Sequence, residues 1–174
     1  VERRKASVNH MADYPLATLI SYLWSVAMTK DIEFAEEFYE GYRNMLLNYI
    51  DRKKESGLYD HDRAFIEWTQ IDKNANLTTI QSMLIYSLES FSWLAEELGY
   101  IEDAEKFRNE ATEARKVMLE KCWDESEKAF HDGFRDGEQI DHHYPISSAW
   151  PVMFGQTDEE KEKYLKEHFI ETLT

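Results

Sequence analysis

Residues 77–107 read LTTIQSMLIYSLESFSWLAEELGYIEDAEKF, and the spacing of their apolar side chains sets the architecture. Leu77, Ile80, Leu84, Leu88, Phe91, Leu94 and Leu98 recur at steps of three and four, the period that gathers side chains on one face of an α-helix. Gly99 follows directly, and glycine most readily takes the left-handed conformation that closes a helix. A second helix then begins with almost no spacer. Its buried edge is Ala104, Phe107, Ala111, Ala114, Val117 and Met118, and its wet side is Glu105, Lys106, Arg108, Glu110 and Glu113. Two helices joined by so short a turn form an αα-hairpin, and the alanines permit close helix approach.

The same scheme extends outward on both sides. From Met11 to Thr29, Leu16, Leu19, Ile20, Leu23, Trp24 and Ala27 predict a mostly buried helix. Asp31 is a suitable N-cap for an amphipathic partner that carries Ala35, Phe38, Tyr39, Tyr42, Met45, Leu46 and Tyr49 on one stripe. On the other side a helix starts near Tyr144 or Pro145, runs through Trp150 and Phe154 to Gly155, and restarts after Thr157, where Thr157 and Glu160 fit a capping box. The chain reads as three consecutive hairpins, about 11–54, 74–121 and 144–172, within one all-α domain spanning 1–174.

Turns inside the hairpins, near Lys30, Gly99 and Gln156, are short, whereas the connections between them, about Glu55 to Lys73 and Lys121 to His143, are long. Antiparallel helices place all such long connections at one end of the stack. That end holds Phe65, Trp68, Trp123, Phe130 and Tyr144, a content of aromatics that argues for order. Trp123 to Asp132 is expected to form a β-hairpin turning at Glu125 to Lys128, and Asp132-Gly133 and Asp136-Gly137 are expected to be turns.

Composition excludes several classes of function. Twenty Lys and Arg against 35 Asp and Glu give a net charge of −15, a field that repels phosphate backbones and anionic lipid, so neither nucleic acid nor a membrane is an expected partner. No apolar run approaches the roughly 20 residues needed to cross a bilayer, which predicts a soluble chain. Cys122 is the single cysteine, so there is no internal disulfide and a lean towards a reducing, cytoplasmic compartment. No cofactor and no metal are expected. There is no glycine-rich phosphate loop or Gly-x-Ser-x-Gly elbow, and the neighbouring His142 and His143 lack a metal-ligand spacing. Asp60 and Asp62 are followed by Phe65 where a calcium loop needs glycine.

The stretch from Asp60 to Asp72 concentrates carboxylates around Trp68. Such a mixture suits a sugar, whose hydroxyls need acceptors and whose C–H face packs on an aromatic ring, and glycosidic cleavage uses two carboxyl groups in different environments. The bland alternative is that Glu67 caps the next helix or pairs with Arg63 while Trp68 plugs the core.

Gly57-Leu58, Phe65-Ile66-Glu67-Trp68 and the helix end Leu94-Ala95-Glu96-Glu97-Leu98-Gly99 together resemble the central catalytic domain of bacterial α-L-rhamnosidases, over about Tyr22 to Phe169. The resemblance implies about half of an (α/α)6 six-hairpin toroid and inverting hydrolysis of terminal α-L-rhamnosides, with a carbohydrate as substrate. It implies substrate-binding roles for Glu67, Trp68, Asp72, His143 and Trp150. Two departures stand out: Glu67 replaces the family's common Asp, and Ile146-Ser147-Ser148-Ala149-Trp150 occupies a helix where the family often has His and Asn. The Cys-Pro-Gln-Arg-Asp-Glu-like segment that carries the family's proton donor is not in the chain, so the resemblance places the acid before Val1 and the base beyond Thr174. No catalytic residue is assigned. The open side of a partial ring is expected to meet the remaining hairpins of the same enzyme or a second copy. A non-catalytic helical-repeat interaction module and another six-hairpin glycosidase are the competing readings.

Overall fold

A computed structural model describes residues 11–61, 63–66 and 70–172. Six helices dominate: α1 (Asp13–Thr29), α2 (Ile32–Ile50), α3 (Thr78–Glu97), α4 (Ile101–Cys122), α5 (Pro145–Met153) and α6 (Glu159–Thr172). They pair as α1/α2, α3/α4 and α5/α6, and α3 also packs against α1 on one side and α5 on the other. The inner row is therefore α1, α3 and α5, with α2, α4 and α6 as the outer members. Among the described residues no helix is long and apolar enough to cross a membrane.

The helix ends follow from their sequence. Lys30 adopts a left-handed conformation at φ 55° after α1, and Asp31 accepts the Phe34 amide at 3.0 Å to start α2. Gly99 turns α3 into α4 at φ 82°. Proline at the first position opens α5, and Pro151 inside it removes a backbone donor, so the helix closes early at Gly155, φ 64°. At α6 the cap differs from expectation: Asp158, not Thr157, accepts the Lys161 amide at 2.8 Å. A carboxylate one residue along outcompetes the hydroxyl because its charge also meets the positive end of the helix.

Burial concentrates on α3, which is covered by α1, α4 and α5. Leu84, Leu88 and Phe91 are fully buried, and Phe91 meets Phe107 of α4 edge to face at 5.3 Å. Each such side chain contributes about 1.5–3 kcal/mol by leaving water. The alanines Ala104, Ala111 and Ala114 face α3 and are buried, as their stripe predicts. Trp24 departs from expectation: 52% of it is exposed, and its indole Nε1 donates to the Tyr86 hydroxyl at 2.8 Å.

The long connections carry short strands. β2 (Trp123–Asp124) pairs antiparallel with β3 (Ala129–Phe130), the hairpin that the sequence predicts. A three-stranded sheet was not foreseen. In it β4 (Gly133–Arg135) lies between β1 (Asn76–Leu77) and β5 (Glu138–Gln139). Asp136 and Gly137, with φ of 53° and 88°, make the tight β4–β5 turn. Asp132-Gly133 is no turn, because Gly133 enters β4 so close to β1 that a Cβ there would sit 2.2 Å from the Asn76 carbonyl oxygen.

Candidate functional site

Both long connections gather over the N-terminal ends of α1, α3 and α5, where unpaired backbone amides attract acceptors. At α1, Asp13 accepts the Phe65 amide at 2.8 Å, and the Ala12 amide donates to the Arg63 carbonyl at 3.0 Å. At α3, the Thr78 amide donates to the Asp132 carbonyl at 2.9 Å and its hydroxyl to the His131 carbonyl at 2.7 Å. At α5, the Asp132 carboxylate accepts from the Tyr144 amide and the Ser147 hydroxyl, both at 2.7 Å. Each inner helix is thus pinned at its start by a neighbouring loop.

The β1–β4 ladder joins the two arms, and Arg135 of β4 pairs with Asp72 of the first arm. Two adjoining cavities open on this face. One, of about 950 Å³, is lined from both arms by residues that include Lys54, Asp60, Asn74 and Arg135. The other, of about 470 Å³, is lined by Asp124, Glu125, His131, Asp141 and others, and Glu138 and Gln139 border both.

Asp124 is held firmly ionised. Its Oδ1 accepts the Ser126 hydroxyl at 2.7 Å and the Ser126 and Glu127 amides at 2.8 and 3.3 Å, bonds that bring its pKa down to about 2. The Lys128 ammonium, followed by the Trp123 indole, likewise holds Glu125 below the usual carboxylate range. Neither group is suited to donate a proton near neutrality, a task that needs a raised pKa. Both suit accepting hydrogen bonds or binding a cation.

The sequence-predicted site residues are only partly brought together. Glu67 and Trp68 lie outside the described residues. Asp72 is on the loop face, with one oxygen engaged by Arg135 and the other accepting the Asn74 amide at 3.2 Å. His143 is on the same face, 3.2 Å from Asp124 and with its ring 4.6 Å from that of His131. Trp150 is half-buried within α5 against Phe154, ring centres 5.3 Å apart. Phe154 stacks on Tyr86 at 4.2 Å, and Tyr86 meets Trp24, so Trp150 ends an aromatic row across the three inner helices.

Asp124, His131 and Asp132 were not singled out from sequence. Asp-Gly at 132–133 carried the available signal, but it was read as a turn. Its carboxylate instead also binds His142 Nδ1 at 2.8 Å. His142 and His143 therefore point to different carboxylates, Asp132 and Asp124, as neighbouring side chains in an extended segment must.

Residues 51–173 match the family model of the mannosylglycerate hydrolase MGH1-like glycoside hydrolase domain. The chain belongs to this family. Solved structures with the same fold include the GH78 family rhamnosidase of Bacillus sp. GL1, at TM-score 0.85 and 21% identity over 91% of this chain. The rhamnosidase from Klebsiella oxytoca, with rhamnose bound, matches at TM-score 0.78 and 20% identity over 95% of this chain. The chain spans 17% of the Bacillus enzyme and 31% of the Klebsiella enzyme. No curated protein sequence matches it. The chain is therefore a glycoside hydrolase domain of the MGH1-like family, with the helical-hairpin fold seen in the two rhamnosidases.

Proposed function

We propose that this domain supplies the substrate-binding loop face of a six-hairpin glycoside hydrolase that acts on terminal α-L-rhamnosides with inversion. The observation that carries the reading is the joining of two long, acidic, aromatic-bearing arms over the inner helix ends, with two polar cavities of about 470 and 950 Å³ beside them. Family membership and the two rhamnosidase folds support it. Glu67 accepts hydrogen bonds from sugar hydroxyls, Trp68 stacks on the ring's C–H face, and Asp72, fixed by Arg135, borders the entrance. Trp150 and the aromatic row beyond it support the floor.

Inversion needs one carboxyl group to protonate the leaving oxygen and another, about 6.5–9.5 Å away, to activate water on the opposite face. The ionised Asp124 and Glu125 do not fit the donor role. The proposed acid and base belong to other hairpins of the toroid, so the chain of 174 residues binds sugar without turning it over.

The test is ligand-observed NMR of the purified chain with L-rhamnose, alongside an aryl α-L-rhamnoside assay. Saturable rhamnose binding without release of the aryl group is the expected result. Release at an enzymatic rate overturns the placement of the acid and base. The family model's description favours a second reading, mannosylglycerate as substrate. Binding of mannosylglycerate but not rhamnose would transfer the assignment to it.

A further inference from the structure

Three side chains distant in sequence converge beside the smaller cavity: Asp124 at the end of β2, His131 just after β3, and His143 just before α5. One ligand atom from each lies within 4.8 Å of the others. Asp124 Oδ2 is 3.2 Å from His143 Nε2 and 3.7 Å from His131 Nε2. Ligands around a tetrahedral zinc ion at 2.0–2.2 Å stand about 3.3–3.6 Å apart, a range that the separations of 3.2 and 3.7 Å bracket.

The orientation of each donor agrees. His131 is buried, and its Nδ1 lies 3.2 Å from the Ile140 carbonyl, which can only accept. Nδ1 must therefore carry the proton in the neutral ring, which leaves the Nε2 lone pair directed at Asp124. Asp124 Oδ1 is taken by Ser126 and Glu127, which frees Oδ2. His143 Nε2 is buried without a hydrogen-bond partner, although Asp124 Oδ2 is within reach. Short separation without hydrogen-bond direction is the relation of two ligands to a common metal, not of a donor to an acceptor. A polar atom buried in this way is costly unless something binds it.

We propose that Asp124, His131 and His143 form a binding site for a divalent transition ion of the zinc class, with the fourth position open towards the cavity lined by Glu125, Glu138 and Asp141. Imidazole nitrogens with one carboxylate select such ions over calcium or magnesium, which favour all-oxygen shells. The ion clasps the β2–β3 hairpin to the segment entering α5, and its open position holds water or a substrate hydroxyl. In this role His143 serves the metal and not the sugar directly.

The experiment strips the protein with a chelator and titrates it with zinc chloride by calorimetry and with cobalt(II) chloride by visible absorption. Wild type is expected to take up one equivalent, with the intense band of four-coordinate cobalt. His143→Ala and His131→Ala should weaken binding at least about tenfold, while His142→Ala, whose ring serves Asp132, should bind as wild type does. If His131→Ala does not fold, Asp124→Asn and His143→Ala, at side chains less deeply buried than that of His131, decide the matter. Absence of stoichiometric uptake, uptake unchanged in His143→Ala, or equal loss in His142→Ala would overturn the site.

Discussion

Asp132 and Ser147 meet at 2.7 Å, the hydroxyl of one donating to the carboxylate of the other in a fully enclosed setting. The same carboxylate takes the Tyr144 amide and faces His142. Asp132→Ala strands several donors at once and should destabilise the fold by about 2–4 kcal/mol, on the scale of unsatisfied buried groups. Asp132→Asn, which keeps an acceptor oxygen, should cost less. Urea unfolding of the two variants checks this, and equal stability of wild type and Asp132→Ala would refute it.

Gly133→Ala places a methyl carbon 2.2 Å from the Asn76 carbonyl oxygen, a backbone atom held in the β1–β4 ladder. The strands must separate, so a loss of about 2 kcal/mol or more is expected, beyond ordinary glycine replacement. Gly137→Ala makes the comparison informative. It also has positive φ, but it meets nothing within 4 Å and should cost about 1 kcal/mol. Equal effects in thermal or urea melts would show that steric approach at Gly133 does not matter.

These two positions show what sequence can and cannot convey. The α3–α4 hairpin was legible because Leu84, Leu88 and Phe91 follow the helical period and Gly99 stops it, all within one local stretch. Trp24 was misplaced because periodicity marks an apolar face without saying which neighbour covers it. Asp132-Gly133 was misread because the dipeptide's local meaning is a turn, whereas the real demand on Gly133 comes from Asn76 in another arm. The cluster of Asp124, His131 and His143 was invisible for the same reason. No spacing rule spans a hairpin and a second strand pair, and the expectation of no metal rests on local patterns, the neighbours His142 and His143 and the Asp60–Phe65 stretch.

Burial pushes the Cys122 thiol up to about 12 from 9.0 and the Tyr22 hydroxyl up to about 12 from 10.0. The folded chain holds these protons more tightly than the unfolded chain. Their contribution is complete below about pH 9 and is lost as pH rises from there towards 12. The urea midpoint should thus fall across that alkaline window. Cys122 should also resist a disulfide reagent at mildly alkaline pH and react once denatured. Rapid labelling of the folded protein would contradict its burial.

Trp68→Ala, at the Glu-Trp pair that resembles the rhamnosidase loop, should weaken L-rhamnose binding by roughly tenfold, about 1.4 kcal/mol, with the unfolding free energy nearly unchanged. Ligand-observed NMR and a urea melt on the same sample separate the two effects. A large loss of stability with no specific loss of binding would return Trp68 to a core role.

The ladder between Asn76-Leu77 and Gly133-Phe134 splices two arms that the chain makes at different times, and it makes them a single heritable unit. A chimera that imports one arm from a relative inherits a strand cut to match a different partner. Swapping residues 51–77 alone should therefore yield a mismatched edge, whereas exchanging 51–77 together with 123–144 transplants a coherent surface. If the two arms bind the substrate as proposed, changes of sugar preference should travel most easily as paired substitutions, one in each arm, and a library that varies either arm in isolation should search mostly broken combinations.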